Sequence, residues 1–176
     1  MSSIPTSSAA ATTAPLTTPS AAGAPGQRYR SKTLAAWLGL LGGPLGLHRF
    51  YLGGLGDPWG WCYPLPTILG LWGLHRMDLL GQDDHLAWVL MPLLGLAIAT
   101  AMLQTILIGL TPDERWHARH NPTLVGRADA PEAGWPAVIA VMLALVLGAG
   151  VLMATIAFSG QRYFEYQVEE ALKISQ

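Results

Sequence analysis

Residues 86–110 read LAWVLMPLLGLAIATAMLQTILIGL. Across these 25 residues Gln104 is the only strongly polar side chain. At about 1.5 Å of rise per residue, such a helix crosses a hydrocarbon core of roughly 30 Å with some tilt. Residues 135–159 form a second stretch of the same kind. Between the two lies a polar loop, residues 111–134, with Pro112, Pro122, Pro131 and mixed charges, and with Trp116 and Trp135 toward its edges. Tryptophan at such positions marks a membrane–water interface.

Composition agrees with this reading. The 176-residue chain is 51% hydrophobic and 12% charged, about half the charged share of a soluble domain. The apolar residues are gathered into long blocks instead of short periodic faces, as in bilayer-spanning chains. The formal net charge is −1 and the ten Lys and Arg residues are scattered. Nucleic-acid binding needs a basic stripe, so no nucleic-acid partner is expected. The single cysteine, Cys62, excludes an internal disulfide and a Cys-based zinc site, and its apolar, aromatic surroundings predict a packed, unreactive thiol.

Upstream of the long spans, the apolar block at residues 33–47 (TLAAWLGLLGGPLGL) has only 15 residues, or roughly 22 Å of helix. It is expected to continue through residues 48–55, with Phe50 and Tyr51 at headgroup depth and the His48 and Arg49 heads snorkelling to water. Gly42, Gly43 and Pro44 are expected to bend it. A turn signal, Gly53-Gly54-Leu55-Gly56-Asp57-Pro58, leads into a block at residues 59–74 that opens on Trp59, Trp61 and Tyr63. Pro64 and Pro66 remove backbone donors that lipid cannot replace, so these two short spans must satisfy each other as a hairpin.

The ends differ in kind. Residues 1–29 are mostly Ala, Ser, Thr and Pro, with no charge before Arg28. Such a segment buries too little apolar area to offset chain entropy and is expected to be disordered. It lacks the basic start and apolar core of a secretory signal. Residues 160–176 predict an amphipathic helix prolonging the last span, with Phe164, Val168 and Leu172 every fourth residue and a Glu169–Lys173 pair.

The expected fold is therefore all-α: a polytopic membrane protein with four transmembrane helices. Its parts are a disordered tail (1–29), a short Gly/Pro-rich two-helix domain (30–80), a second pair of long spans (81–159) around the loop 111–134, and the C-terminal helix (160–176). Four spans put both termini on one side. The cytoplasm is favoured, since Arg28, Arg30, Lys32, Arg76, Arg162 and Lys173 then face inward against Arg49, Arg115, Arg119 and Arg127 outside.

The first short span ends in Gly43-x-x-Gly46-x-His48-Arg49-Phe50-Tyr51-Leu52-Gly53, after a basic lead-in at Ser31-Lys32-Thr33. Over residues 30–80 this resembles the two-transmembrane-helix (TM-two) domain family, membrane proteins widespread in bacteria and present in animals. Eight motif positions match at fixed spacing. The family usually closes its second helix with a tryptophan followed closely by an aspartate; Trp72 and Asp78 are the corresponding pair here, with His75 and Arg76 between them. The resemblance implies a membrane-embedded helical hairpin, and nothing enzymatic follows from it; a bacterial inner membrane is the expected location, with no cofactor expected. The residues it marks are Gly43, Gly46, His48, Arg49, Phe50, Tyr51, Gly53 and Asp78. Gly73-Leu74-His75-Arg76 echoes Gly46-Leu47-His48-Arg49, but four residues do not establish a duplication. Further on, Gln161-Arg162-Tyr163 and Gln167-Val168-Glu169-Glu170-Ala171-Leu172 resemble the stretch after the hydrophobic helix of bacterial type IV pilins. The Phe and Glu of the pilin cleavage site are missing before Trp135, so a filament subunit is not expected.

Arg49 has three candidate partners: Asp57, Asp78 or a lipid phosphate. Either the motif only shapes the hairpin, or it recognises a headgroup or partner helix. His75, Asp78, Asp83, Asp84 and His85 form a polar cluster, and His117 and His120 another pair, but neither has metal-ligand spacing, and solvated loops are the expected state of both. The long spans carry no ionisable residue, which argues against a proton relay, and Gln104 is expected in a helix-to-helix hydrogen bond. No nucleophile triad or phosphate loop is present. A non-enzymatic protein is expected, without cofactor or metal, in contact with membrane lipids and with another membrane protein. The alternative is a small channel or transporter component.

Overall fold

The computed structural model describes residues 28–175, and every regular element among them is helical. Of the tail expected over residues 1–29, positions 1–27 lie outside the described residues. The helices are α1 (Lys32–Gly42), α2 (Leu47–Gly53), α3 (Pro58–Trp61), α4 (Pro64–Leu80), α5 (His85–Leu110), α6 (Asp113–His120) and α7 (Trp135–Ile174), with short 3-10 turns at Gly43–Leu45 and Pro122–Leu124. Pro58, Pro64 and Pro136 fall in the opening turns of their helices. There the missing donor has no intrahelical partner to lose.

Helices α5 and α7 are long and apolar enough to cross a membrane. The first has 26 residues and the second 40, so α7 absorbs the expected C-terminal helix and runs about 60 Å. In its last turns Lys173 pairs with Glu170 at 3.4 Å, three residues away, in place of the expected Glu169.

Helix α5 is the axis of the bundle. Helix α1 runs antiparallel along its C-terminal half, where a methyl group on Gly43 would strike Ala101 Cβ at 2.6 Å. Helix α4 runs antiparallel along the N-terminal half, with Gly70 against the backbone of Leu94 and Gly73 against Leu90. Helix α7 follows its whole length, through Gly109 against Val141, Gly148 against Met102 and Gly95 against Thr155. The core is accordingly made of small side chains: Ala87, Ala97, Ala101, Ala137, Ala140 and Ala144 are buried, while Leu107 and Val146 are 58% and 71% exposed. Small residues inside and large apolar ones outside is the distribution that suits a hydrocarbon solvent.

The short hairpin departs from expectation. Residues 48–55 do not prolong α1. Its hydrogen-bond ladder stops at Gly42-Gly43-Pro44, and Gly46 takes a left-handed conformation at φ 75°. A residue with a Cβ is disfavoured there by sterics. The chain therefore reverses, and α2 returns beside α1. The Ser31 amide donates to Tyr51 Oη at 2.9 Å, and the Arg30 guanidinium donates to the Leu52 carbonyl. The chain re-enters through Asp57 and α3, passes beneath the turn where Thr67 Oγ1 donates to the Pro44 carbonyl at 2.7 Å, and continues as α4.

That reversal leaves the first and last described residues at opposite ends of α5. Arg30 N donates to Asn121 Oδ1 at 2.9 Å, beside the C-terminal end of α5, while Arg162 Nη2 donates to Gln82 Oε1 at 3.4 Å, beside its N-terminal end. Cys62 also differs from expectation, since it is a free thiol on the exposed surface and not a packed one.

Candidate functional site

The segment between α5 and α7 is not a plain loop. Asp113 and Glu114 in the first turn of α6, and His117, Arg119 and His120 in the last, complement the helix dipole at both ends. Asp113 Oδ1 lies 2.6 Å from Lys32 Nζ, which also donates to the Thr111 carbonyl at 2.9 Å. Trp116 Nε1 and Asn121 Nδ2 both donate to the Arg30 carbonyl, at 2.9 and 3.0 Å. His117 is buried and holds the Pro131 carbonyl at 3.0 Å. The basic lead-in to α1 is thus clamped under α6.

On the facing side stands the motif. His48 is fully buried, with Nε2 2.6 Å from Gln104 Oε1 and its ring edge-on to Tyr63. Because Oε1 only accepts, this contact puts the ring proton on Nε2. Gln104 is thereby the interhelical hydrogen bond expected of it. Arg49 Nε lies 3.2 Å from Asp57 Oδ2, and Asp57 Oδ1 also caps α3 by accepting from Trp59 N at 3.0 Å. Phe50 packs edge-on against Trp61 with 5.2 Å between ring centroids. Gly46 and Gly53 are crowded, the first by the Gly60 carbonyl and the second by the Asp57 side chain.

Seven of the eight marked residues therefore meet, namely Gly43, Gly46, His48, Arg49, Phe50, Tyr51 and Gly53. Asp78 does not join them. It is exposed in the last turn of α4, at the opposite end of the bundle, so Arg49 pairs with Asp57 alone of the two carboxylates considered. At that opposite end Arg76 grips Asp84 with two hydrogen bonds of 2.8 and 3.0 Å. The guanidinium holds the Asp84 carboxyl below the usual carboxylate range. His85 packs against Trp88 with the two rings tilted. Among the described residues no three His, Cys, Asp or Glu side chains are grouped as a metal site requires.

Between α2, the C-terminal end of α5 and α6 opens a cavity of about 630 Å³. His48, Arg49 and Gln104 reach it from below, and Arg30, Arg115, Arg119 and His120 close it from the α6 side. Sequence reasoning missed the latter four. The signal available was the pattern Pro112-Asp113-Glu114 followed by Arg115 and Arg119, a helix start with two arginines four residues apart. No protein-family model matches the chain, and neither does any curated protein or any solved structure.

Proposed function

We propose that this chain is a non-enzymatic multi-pass protein of a bacterial inner membrane, acting through contacts with lipid and with a partner membrane helix. In this reading the chain crosses the bilayer three times, as α3–α4, α5 and α7, and α1–α2 is a re-entrant hairpin reaching about half depth. The 17 residues of α4 give about 25 Å, and α3 supplies the rest of that crossing. The observation carrying the contact role is the outward apolar surface of α5 and α7 above an end where four arginines converge on one cavity. A hydrocarbon girdle with a basic collar fits a lipid interface. The motif's polar contacts support a role in shaping that end: His48 and Tyr51 are hydrogen-bonded to Gln104 and to the Ser31 amide, and Arg49 forms an ion pair with Asp57.

A second reading, a small channel or transporter component, draws on the same cavity, since it reaches Gln104 and buried His48. Reconstitution into sealed liposomes separates the two. The contact reading expects ion and small-solute leak equal to that of protein-free vesicles. A saturable flux that disappears in Gln104→Leu would replace it with the transport reading.

A further inference from the structure

The cavity under α6 holds a charge imbalance that the fold does not neutralise. Arg30, Arg49, Arg115 and Arg119 line it, and its only acidic lining residue is Asp57, already 3.2 Å from Arg49. Three guanidinium charges remain in excess. Arg115 and Arg119 are exposed, and among the described residues neither has a carboxylate within ion-pair distance. They stand four residues apart on one face of α6, where like charges repel. An anion held between them would relieve that repulsion and offset the excess positive charge of the lining.

The chemistry of the lining narrows the anion. All four cations are arginines, whose planar fork donates two parallel hydrogen bonds and matches phosphate oxygens better than a lysine ammonium does. The lining also has apolar parts, Leu52 from α2 and Leu107 and Ile108 from α5. Those parts accept the uncharged stem of an ester.

We infer that this cavity binds a phosphate-bearing anion, with the phosphate among the four arginines and any ester stem along the apolar α5 residues. The inference deepens the proposed contact role and rests on it. The phosphate has two sources, the headgroup of an anionic phospholipid or a free phosphate.

The test uses the full chain, delipidated in mild detergent, with two arms. In the first, native mass spectrometry compares retention of phosphatidylglycerol and phosphatidylcholine. In the second, thermal unfolding is followed with inorganic phosphate against chloride at equal ionic strength. Selective retention of phosphatidylglycerol assigns the headgroup, and a phosphate-specific rise in Tm assigns the free anion. The Arg115→Ala/Arg119→Ala variant should weaken the responding arm by about ten-fold or more. Asp57→Asn keeps an α3 cap while removing the competing carboxylate, and should strengthen binding. Arg127→Ala, which breaks an exposed pair with Asp129 outside the cavity, should change nothing. The proposal is overturned if neither arm discriminates, or if the double variant binds as the wild type while melting normally. If the double variant fails to fold, Arg119→Gln takes its place: weakened binding supports the site, and binding equal to the wild type overturns it. Failure here would leave the liposome result untouched, so the two readings fall separately.

Discussion

His120 illustrates how one side chain reports on its surroundings. Burial, reinforced by the charges of Arg119 and Arg30, holds its imidazole below the ordinary value of 6.5. The folded state therefore favours the neutral ring, and the unfolded chain takes up the proton first as pH falls. This contribution to stability is fully present above pH 6.5 and is lost as pH drops through the lowered folded value. The unfolding midpoint of the purified protein should be flat above that pH and decline below it, and His120→Gln should flatten the decline. A profile identical in the two proteins would show that the slope belongs to another group.

At the level of elements, the reversal at Gly46 decides where the motif lies. An alanine there would have to adopt a left-handed conformation, at about 1–2 kcal/mol, and its Cβ would come within 2.5 Å of the Gly60 carbonyl oxygen. We expect Gly46→Ala to cost more than about 2 kcal/mol in total. Differential scanning in detergent checks this, and an unchanged Tm would mean that the turn relaxes freely. The sequence made α5 and α7 legible because a long apolar run can be read without knowing its neighbours. It also showed that residues 33–47 are too short to span. It did not show which way the chain turns, because Gly42-Gly43-Pro44 encodes only an interruption. The direction is set by Tyr51 meeting Ser31 and by His48 meeting Gln104, contacts 20 and 56 residues apart. Helix α6 was hidden for a related reason. Half of its eight residues are charged and two more are histidines, and what fixes it is Lys32 and Arg30, which hold it and its flanking Thr111 and Asn121 from 79 to 91 residues upstream. The motif half of the site was therefore legible, and the arginines that complete the cavity were not.

For the whole molecule, the placement of the chain ends changes the charge comparison. Arg28, Arg30, Lys32, Arg49, Arg115, Arg119 and Arg127 belong to the α6 end, against Arg76, Arg162 and Lys173 at the other, which divides the ten basic residues seven to three. Under the proposed three-crossing topology the positive-inside bias is stronger than under four spans, and a cytoplasmic α6 end is the expectation. In a Cys62→Ser background, a cysteine at Ala128 should resist a membrane-impermeant maleimide in intact cells, and one at Ser175 should react. The opposite labelling would reverse the orientation, and a cysteine at Arg28 that labels like Ser175 instead of like Ala128 would restore the four-span topology.

The central position of α5 also constrains how the protein is made. A ribosome delivers α1 to α4 before α5, yet the Gly43 edge of α1 and the Gly70–Gly73 edge of α4 have their packing partner only in α5. Gln104, the partner of the His48 ring, emerges later still. Until then, if α1–α2 is re-entrant as proposed, the Gly42–Leu45 interruption presents open backbone to lipid. In the proposed topology the nascent chain must therefore shelter its first half, at the insertion machinery or at the interface, until α5, the second crossing, arrives to complete it.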